Sequence, residues 1–165
     1  GAAAATGDWL IFVDADSHPS PELFQDVAAA IRQGDVLAGG STVKLDGIYP
    51  LAAMLTRGWN VLSRLKKWAP GSFIFCEREA FRGLGGFSQE LYASEEIDLF
   101  VRLNRLARQT GKRVVILHRH PLVTSGRKVR LYTLREHVRF LTKVVMKPST
   151  LRNRAQCHTW YDGRR

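Results

Sequence analysis

The sequence predicts an α/β fold. Residues 9–13 form an unbroken apolar run of the kind found in a central, doubly covered strand of a parallel sheet. Along the rest of the chain, short apolar runs alternate with longer segments of helical periodicity. With 165 residues, 45% of them apolar and 24% charged, the chain has the size and composition of one globular domain.

In the first half of the chain, the strand at 9–13 leads through a loop into a helix. Ser20 is the expected N-cap, Pro21 fits the first helical position, and Gly34 ends the helix. Residues 35–44 then predict a short strand with a glycine interruption. Residues 48–68 predict a helix in which apolar side chains recur at helical spacing, namely Leu51, Leu55, Trp59 and Leu62.

The second half repeats this alternation. The predicted elements are a strand at 72–76, a brief helix at 78–82, a tight glycine-rich loop at 83–87, a helix from Ser94 to a point before Gly111, a strand at 113–117, an extended piece at 121–125 and a last helix from about Thr133 to Pro148. The capping box from Thr133 to Glu136 marks the start of the last helix.

The chain is strongly basic, with 25 Lys and Arg against 15 Asp and Glu and a formal net charge of +10. This balance favours a polyanionic neighbour such as an anionic membrane face or a phosphorylated substrate. No apolar stretch is long enough to span a membrane, and no signal peptide opens the chain. Cys76 and Cys157 lie far apart and predict ordinary thiols in a reducing compartment. We therefore expect a cytoplasmic protein, with the inner face of a membrane as an alternative place of action.

Two carboxylates follow the first strand directly. Asp14 and Asp16 lie at its carboxyl end, where α/β sheets bind ligands. Hard oxygen ligands at this place suit a divalent cation that also holds phosphate oxygens, as Mg²⁺ does. The alternative is that the pair only turns the chain and caps the next helix.

A second acidic cluster opens the helix that begins near Ser94. Glu95, Glu96 and Asp98 are favoured there by the helix dipole, which is a purely structural explanation. Glu95 and Glu96 point in different directions on a helix, so one can cap while the other faces a cleft. A carboxylate that faces a bound hydroxyl can act as a general base.

Three blocks of sequence together resemble a family 2 glycosyltransferase. They are Gly-Asp-Trp-Leu-Ile-Phe-Val-Asp-Ala-Asp, then Gly-Ser-Phe-Ile-Phe-Cys-Glu-Arg-Glu-Ala-Phe-Arg-Gly-Leu-Gly-Gly-Phe, then Ser-Glu-Glu-Ile-Asp-Leu-Phe-Val-Arg-Leu. Their order and spacing fit that family, and Thr-Ser-Gly-Arg-Lys follows a late strand as expected. The resemblance implies a GT-A fold, a mixed sheet with flanking helices, and sugar transfer from a nucleotide-sugar donor to an acceptor hydroxyl with inversion.

The resemblance also implies roles for individual residues. Asp14 and Asp16 would hold Mn²⁺ or Mg²⁺ against the donor diphosphate. The acceptor-side base would be Glu96, where the family more often has Asp, and Glu95 remains the alternative. Arg127 and Lys128 could donate to the diphosphate, although a solvated basic loop explains them equally well.

Two further residues receive weaker assignments. His120 is a candidate third metal ligand, because GT-A enzymes often use a late histidine, and the alternative is a structural histidine. Asp98 matches a common acidic position of the family, and we expect it to support the start of the helix instead of reacting.

The resemblance departs from the family at the front of the chain. The family places the nucleobase and ribose on an N-terminal half that we expect to be missing here, so the chain would be a fragment that is inactive by itself. We accordingly expect a partial transferase domain at 1–147 and a basic C-terminal tail at 148–165. The expected substrates are a nucleotide-sugar donor and a saccharide or lipid-linked acceptor.

Other classes of protein offer alternatives to a transferase. In a non-catalytic module, the helix at 48–68, with Trp59, Trp68 and four cations, would lie on an anionic membrane surface. The simpler alternative, which we favour, is a helix packed on the sheet with solvated cations. A phosphohydrolase would need a Thr or Ser cluster that Ser17-His18-Pro19 does not supply, and no module for nucleic-acid binding is present.

Overall fold

The structure is a computed structural model that describes residues 1–47, 50–91 and 94–125, except for the side chain of Leu51. A short 3-10 helix at Ala2–Ala4 precedes nine further elements in the described ranges. In chain order these are β1 Trp9–Val13, β2 Ser17–His18, α1 Pro21–Arg32, β3 Val36–Leu45, α2 Pro50–Lys66, β4 Phe73–Glu77, α3 Arg78–Gly83, α4 Glu95–Thr110 and β5 Arg113–Thr124. The predicted α/β class is confirmed. The predicted last helix and basic tail lie outside the described residues.

The five strands form one mixed sheet with the order β1-β4-β3-β5-β2. Only β3 and β5 pair in parallel, and the other neighbours are antiparallel. Within the described residues β1 is therefore an edge strand, not the central strand that its composition predicted. Ile11 and Val13 are about two-fifths exposed, while Leu10 is buried. An apolar run indicates a strand, but it does not show how many strands flank it in the sheet.

The sheet curls so that its two ends meet. Strands β1 and β2 stand at opposite ends of the strand order, yet only residues 14–16 join them. A flat five-stranded sheet would separate its edge strands by about 19 Å. The four chain steps from Val13 to Ser17 reach at most about 14 Å. The β3–β5 register also breaks, since Ser41 pairs with Leu117 but Val43 pairs with Leu122, and such an irregularity bends a strand locally.

Helices cover both faces of the sheet. Helix α1 packs Leu23, Val27 and Ala30 against one face. Helices α3 and α4 close the opposite face with a second cluster, whose α4 members are Leu99, Phe100, Leu103 and Ala107. The helix ends follow the predicted signals. Ser20 accepts a hydrogen bond from the amide of Leu23 across 3.2 Å, and Gly111 ends α4 in the left-handed conformation.

Strand β3 runs without interruption through the two glycines that were expected to break it. A Cβ on Gly39 would lie 2.5 Å from Cζ of Phe75, and one on Gly40 would lie 2.3 Å from Cβ of Ala69. The two glycines therefore let a ring and a loop residue pack directly on the β3 backbone.

Candidate active site

The acidic pair occupies a tight turn at the carboxyl end of β1. The amide of Ser17 donates to the carbonyl of Asp14 across 3.0 Å, which closes the turn. On one side the amide of Asp14 donates to the carbonyl of Ser72, and on the other the amide of Ser125 donates to the carbonyl of Asp16. The backbone is thus fixed from two directions. Neither carboxylate has a hydrogen bond or ion pair to another described residue.

This geometry excludes one part of the alternative explanation, in which the pair turns the chain and caps the next helix. Asp14 and Asp16 do turn the chain, but they do not cap α1, because Ser20 does so. Two carboxylates that are one residue apart, held at the end of a strand and without protein partners in the described ranges, form a suitable donor set for a hard divalent cation. A metal role for them stays a prediction.

The second acidic cluster begins α4 behind a strained residue. Ser94 adopts a left-handed conformation with φ 62°, and its side chain makes no capping bond. Such a conformation costs a non-glycine residue about 1–2 kcal/mol. Its carbonyl accepts from the amides of Ile97 and Asp98, which starts the helix. The strain lies directly before the two candidate bases, as is common at functional sites.

The side chain of Glu96 and the turn that carries Asp14 lie at the same end of the sheet. Its side chain packs over Gly71, where an added Cβ would lie 3.6 Å from Cγ and 3.7 Å from Cδ of Glu96. Gly71 is followed by Ser72, whose carbonyl accepts from the amide of Asp14 across 3.1 Å. One short segment therefore lies beside the side chain of the candidate base and is hydrogen-bonded to the backbone of the candidate metal ligand.

Arg102 fastens the glycine-rich loop to α4. Its guanidinium donates to the carbonyls of Leu84 at 2.7 Å and Gly86 at 2.9 Å, and it pairs with Asp98 at 2.7 Å. Asp98 thus supports the helix, as expected. Arg102 is not among the residues that we predicted for the site, although its i, i+4 spacing from Asp98 indicates an ion pair.

The same loop packs on the strand that carries Asp14. The ring of Phe87 lies 5.1 Å from that of Phe12 and 5.4 Å from that of Phe81, edge-on in both pairs. Gly86 has φ +70°, and a Cβ there would lie 3.0 Å from the Phe81 ring. The expected tight loop is present with Phe87 partly buried, and it links the α4 side of the site to β1.

The first 84 residues match the family model described as glycosyl transferase family 2. That match covers β1, both acidic carboxylates of the turn and the strand β4 beside them. The chain belongs to glycosyl transferase family 2. No curated protein matches the chain.

A solved structure supports the GT-A fold of this glycosyltransferase chain. The chain is similar to S. aureus TarS 1-349, a GT-A glycosyltransferase, with a TM-score of 0.51 and 16% sequence identity. The similarity covers 87% of this chain but 42% of TarS, so the chain spans less than half of that relative. At this identity the likeness shows the fold alone.

Among the described residues, His120 does not join the acidic pair in a metal site. His120 lies where β5 leaves its register with β3, and its Nδ1 is 2.9 Å from Oδ2 of Asp26 on α1. Among the residues that the structure describes, no three Asp, Glu, His or Cys side chains come together as a metal site. His120 as a third ligand therefore has no structural support. Arg127 and Lys128 lie outside the described residues.

A cavity of about 390 Å³ lies apart from these carboxylates, between α1 and β5. Its lining includes Asp26, Gln33, Arg113, His118 and Arg119. Arg113 is already engaged by Asp35, whose pKa the guanidinium lowers by hydrogen bonding. The cavity contains neither the acidic pair nor Glu96, and we assign it no part in sugar transfer.

Proposed function

We propose that this chain carries the metal-binding and acceptor-binding part of a metal-dependent, inverting glycosyltransferase. The donor would be a nucleotide sugar, and the acceptor would be a hydroxyl of a saccharide or a lipid-linked saccharide. One observation supports the proposal most strongly. Gly71 lies beside the Glu96 side chain, and the carbonyl of the next residue, Ser72, accepts a hydrogen bond from the Asp14 amide, so both acidic motifs lie near one segment at the same end of the sheet.

Asp14 and Asp16 are the residues that would hold Mn²⁺ or Mg²⁺. A divalent cation there would offset negative charge on the departing nucleoside diphosphate. Arg127 and Lys128 follow Ser125 closely in sequence, and Ser125 is hydrogen-bonded to Asp16. We assign to these two cations the remaining donors for the diphosphate.

Glu96 is the proposed general base, with Glu95 as the alternative. The Glu96 carboxylate takes the proton of the acceptor hydroxyl while the acceptor oxygen forms a bond to the anomeric carbon. The bond from that carbon to the diphosphate oxygen breaks at the same time, and the nucleoside diphosphate leaves with the electron pair. A single displacement of this kind inverts the anomeric configuration.

The proposal places this reaction in the cytoplasm. Burial raises the pKa of the Cys76 thiol to about 12, so this thiol stays protonated and unreactive in the fold. That property agrees with an ordinary thiol of a reducing compartment. The purely non-catalytic membrane module loses support now that the family is known, although membrane contact is compatible with an enzyme.

Calorimetric titration with UDP and with GDP, in the presence and absence of Mn²⁺, tests the proposal. We expect metal-dependent binding of one nucleotide, and we expect Asp16→Ala to abolish it. Asp8→Ala removes another exposed carboxylate from the same stretch and is the matched control.

Three results would bear differently on the proposal. Nucleotide binding that is equal in Asp16→Ala and the parent chain would contradict the metal assignment. Binding that does not depend on metal would contradict the metal-dependent mechanism. Failure of the folded chain to bind either nucleotide would show that donor recognition requires residues beyond those of this chain.

A further inference from the structure

Helix α2 is fastened to the sheet through small and polar side chains. Its inner side carries Ala52, Thr56, Asn60 and Ser63. The amide group of Asn60 both accepts from the Val43 N–H at 3.0 Å and donates to the Val43 carbonyl at 2.9 Å. The Ser63 hydroxyl donates to the Trp68 carbonyl at 2.6 Å. Two hydrogen bonds from Asn60 thus tie α2 to β3, and Ser63 holds the segment that follows the helix.

The large aliphatic side chains that the structure describes on α2 point the other way. Five of them are exposed, by 62% at Met54, 51% at Leu55, 58% at Val61, 39% at Leu62 and 75% at Leu65. At 100° per residue they share one sector of about 120°. This arrangement reverses that of an ordinary surface helix, whose apolar stripe faces the core. Such a contiguous exposed apolar face marks an interaction site.

Positive charge borders this outer face of α2. On the same helical projection, Arg57 and Arg64 flank one side of the aliphatic sector and Lys66 flanks the other. Helix α2 contains no Asp or Glu. Aliphatic side chains bordered by cations are the pattern of a helix that lies in the plane of an anionic lipid surface.

Charge also argues against two other occupants of the face. A second copy of this chain would bring another net charge of +10 against the same cations. Residues 126–165 carry eleven Lys and Arg and two Asp and Glu, so this segment would also meet like charge. An anionic bilayer satisfies both the aliphatic side chains and the cations around them.

We propose that the outer face of α2 docks on an anionic lipid membrane surface, with the helix axis parallel to the bilayer plane. No helix in the described ranges of the chain is long and apolar enough to cross a bilayer. Docking by itself does not depend on the proposed reaction. A consequence that does rest on the proposed function concerns the acceptor. Helix α2 ends five residues before Gly71, on which Glu96 packs, so docking favours a lipid-linked acceptor presented at the membrane.

Co-sedimentation of the full chain with vesicles tests the docking. One set of vesicles contains phosphatidylcholine alone, and the other also contains phosphatidylglycerol. We expect binding to the anionic set, and we expect high salt to weaken it. Leu65→Glu should lower the partition coefficient by about tenfold or more, because it places a charge at the most exposed aliphatic position. Val101→Glu, at an exposed aliphatic side chain of α4, should leave binding unchanged.

A charge-neutralising pair tests the electrostatic part. Arg57→Gln with Arg64→Gln should weaken anionic vesicle binding by about fivefold for each charge removed. The matched control is Arg105→Gln with Arg108→Gln, which removes two exposed cations of α4. Equal losses in the two pairs would show only a general attraction of a basic protein and would overturn docking through α2.

Two further outcomes would also overturn the proposal. One is a folded chain that does not sediment with anionic vesicles. The other is concentration-dependent self-association that Leu65→Glu abolishes, since the face would then be an interface between copies. The nucleotide titration stays independent of both results. Leu65→Glu should still bind nucleotide as the parent chain does, so a failure of docking and a failure of the proposed reaction can be told apart.

Discussion

The amide of Asp14 donates a hydrogen bond to the carbonyl of Ser72 across 3.1 Å. This bond ties the turn after β1 to the segment that enters β4. The residue before Ser72 is Gly71, which lies under the side chain of Glu96. Two acidic motifs that are about 80 positions apart in sequence are therefore connected through two residues. This connection brings the candidate base and the candidate metal ligands together.

Replacing the proposed base should lower the rate of sugar transfer and leave donor binding nearly unchanged. We expect Glu96→Gln to lower kcat by roughly 100- to 10,000-fold in any form of the chain that transfers sugar. KM for the donor should change little, because the donor side is assigned to Asp14 and Asp16. Glu95→Gln is the matched control and should cost less than about tenfold. A larger loss of kcat in Glu95→Gln than in Glu96→Gln, measured by steady-state kinetics, would identify Glu95 as the base.

Removing the guanidinium of Arg102 should loosen the glycine-rich loop. Arg102→Ala leaves two carbonyls and the Asp98 carboxylate without their donor, and we expect a loss of about 2–3 kcal/mol in the free energy of unfolding. Arg102→Lys should recover less than half of that loss, since an ammonium cannot span the three acceptors. Arg105→Ala, at an exposed position of α4, should change stability by less than about 0.5 kcal/mol. Urea unfolding of the three variants provides the measurement, and equal stabilities would contradict the role of Arg102.

The glycine pair of β3 should tolerate no side chain. In Gly40→Ala the new Cβ would lie 2.3 Å from Cβ of Ala69 and 2.7 Å from the Phe73 carbonyl, so we expect a loss of about 3 kcal/mol. Gly58→Ala in α2 is the control, because an added Cβ meets nothing within 4 Å there. It should stabilise the chain by about 0.5–1 kcal/mol. Thermal or urea unfolding that ranks the two variants alike would contradict the packing at Gly40.

The Cys76 thiol should be unreactive while the chain is folded. Burial raises its pKa to about 12, so the nucleophilic thiolate is scarce at pH 8. In a Cys157→Ser background, a chromogenic disulfide reagent should label Cys76 only as fast as the chain unfolds. Because the folded pKa lies above the ordinary value of 9.0, ionisation of this thiol favours the unfolded chain, so raising the pH above 9 should speed labelling by lowering the free energy of unfolding. Rapid, stoichiometric labelling of the native chain at pH 8 would show that Cys76 is accessible.

Local signals predicted the elements well, because capping and chain termination depend on neighbouring residues. Ser20 and Gly111 mark the ends of α1 and α4 as their residue types indicated. The second acidic cluster and the strand end before Asp14 were likewise readable. Features set by the partners of an element were not readable. The apolar run at 9–13 could not show that β1 has one neighbour in the described ranges.

Helix α2 is a second case in which the partners of an element could not be read from its sequence. Leu55 and Leu62 recur at helical spacing and were read as a packing face, yet both are exposed. The helix instead uses Asn60, whose amide matches the unpaired backbone groups of Val43. Which side of an amphipathic helix meets the sheet depends on what that sheet offers. The proximity of Gly71 and Glu96 could not be predicted either, since it brings a turn and the first turn of α4 together from distant places in the sequence.

Paramagnetic broadening by Mn²⁺ in NMR spectra of the labelled chain shows whether the two acidic motifs form one metal site, and it requires neither substrate nor activity. We expect substoichiometric Mn²⁺ to broaden the amide signals of Ser72 and Glu96 and to spare Gly111, about 22 Å from Glu96 along α4. Asp14→Ala and Asp16→Ala should each restore the sharp signals. Broadening of Ser72 with an unaffected Glu96, or broadening that survives loss of the two aspartates, would show that these carboxylates do not form one site.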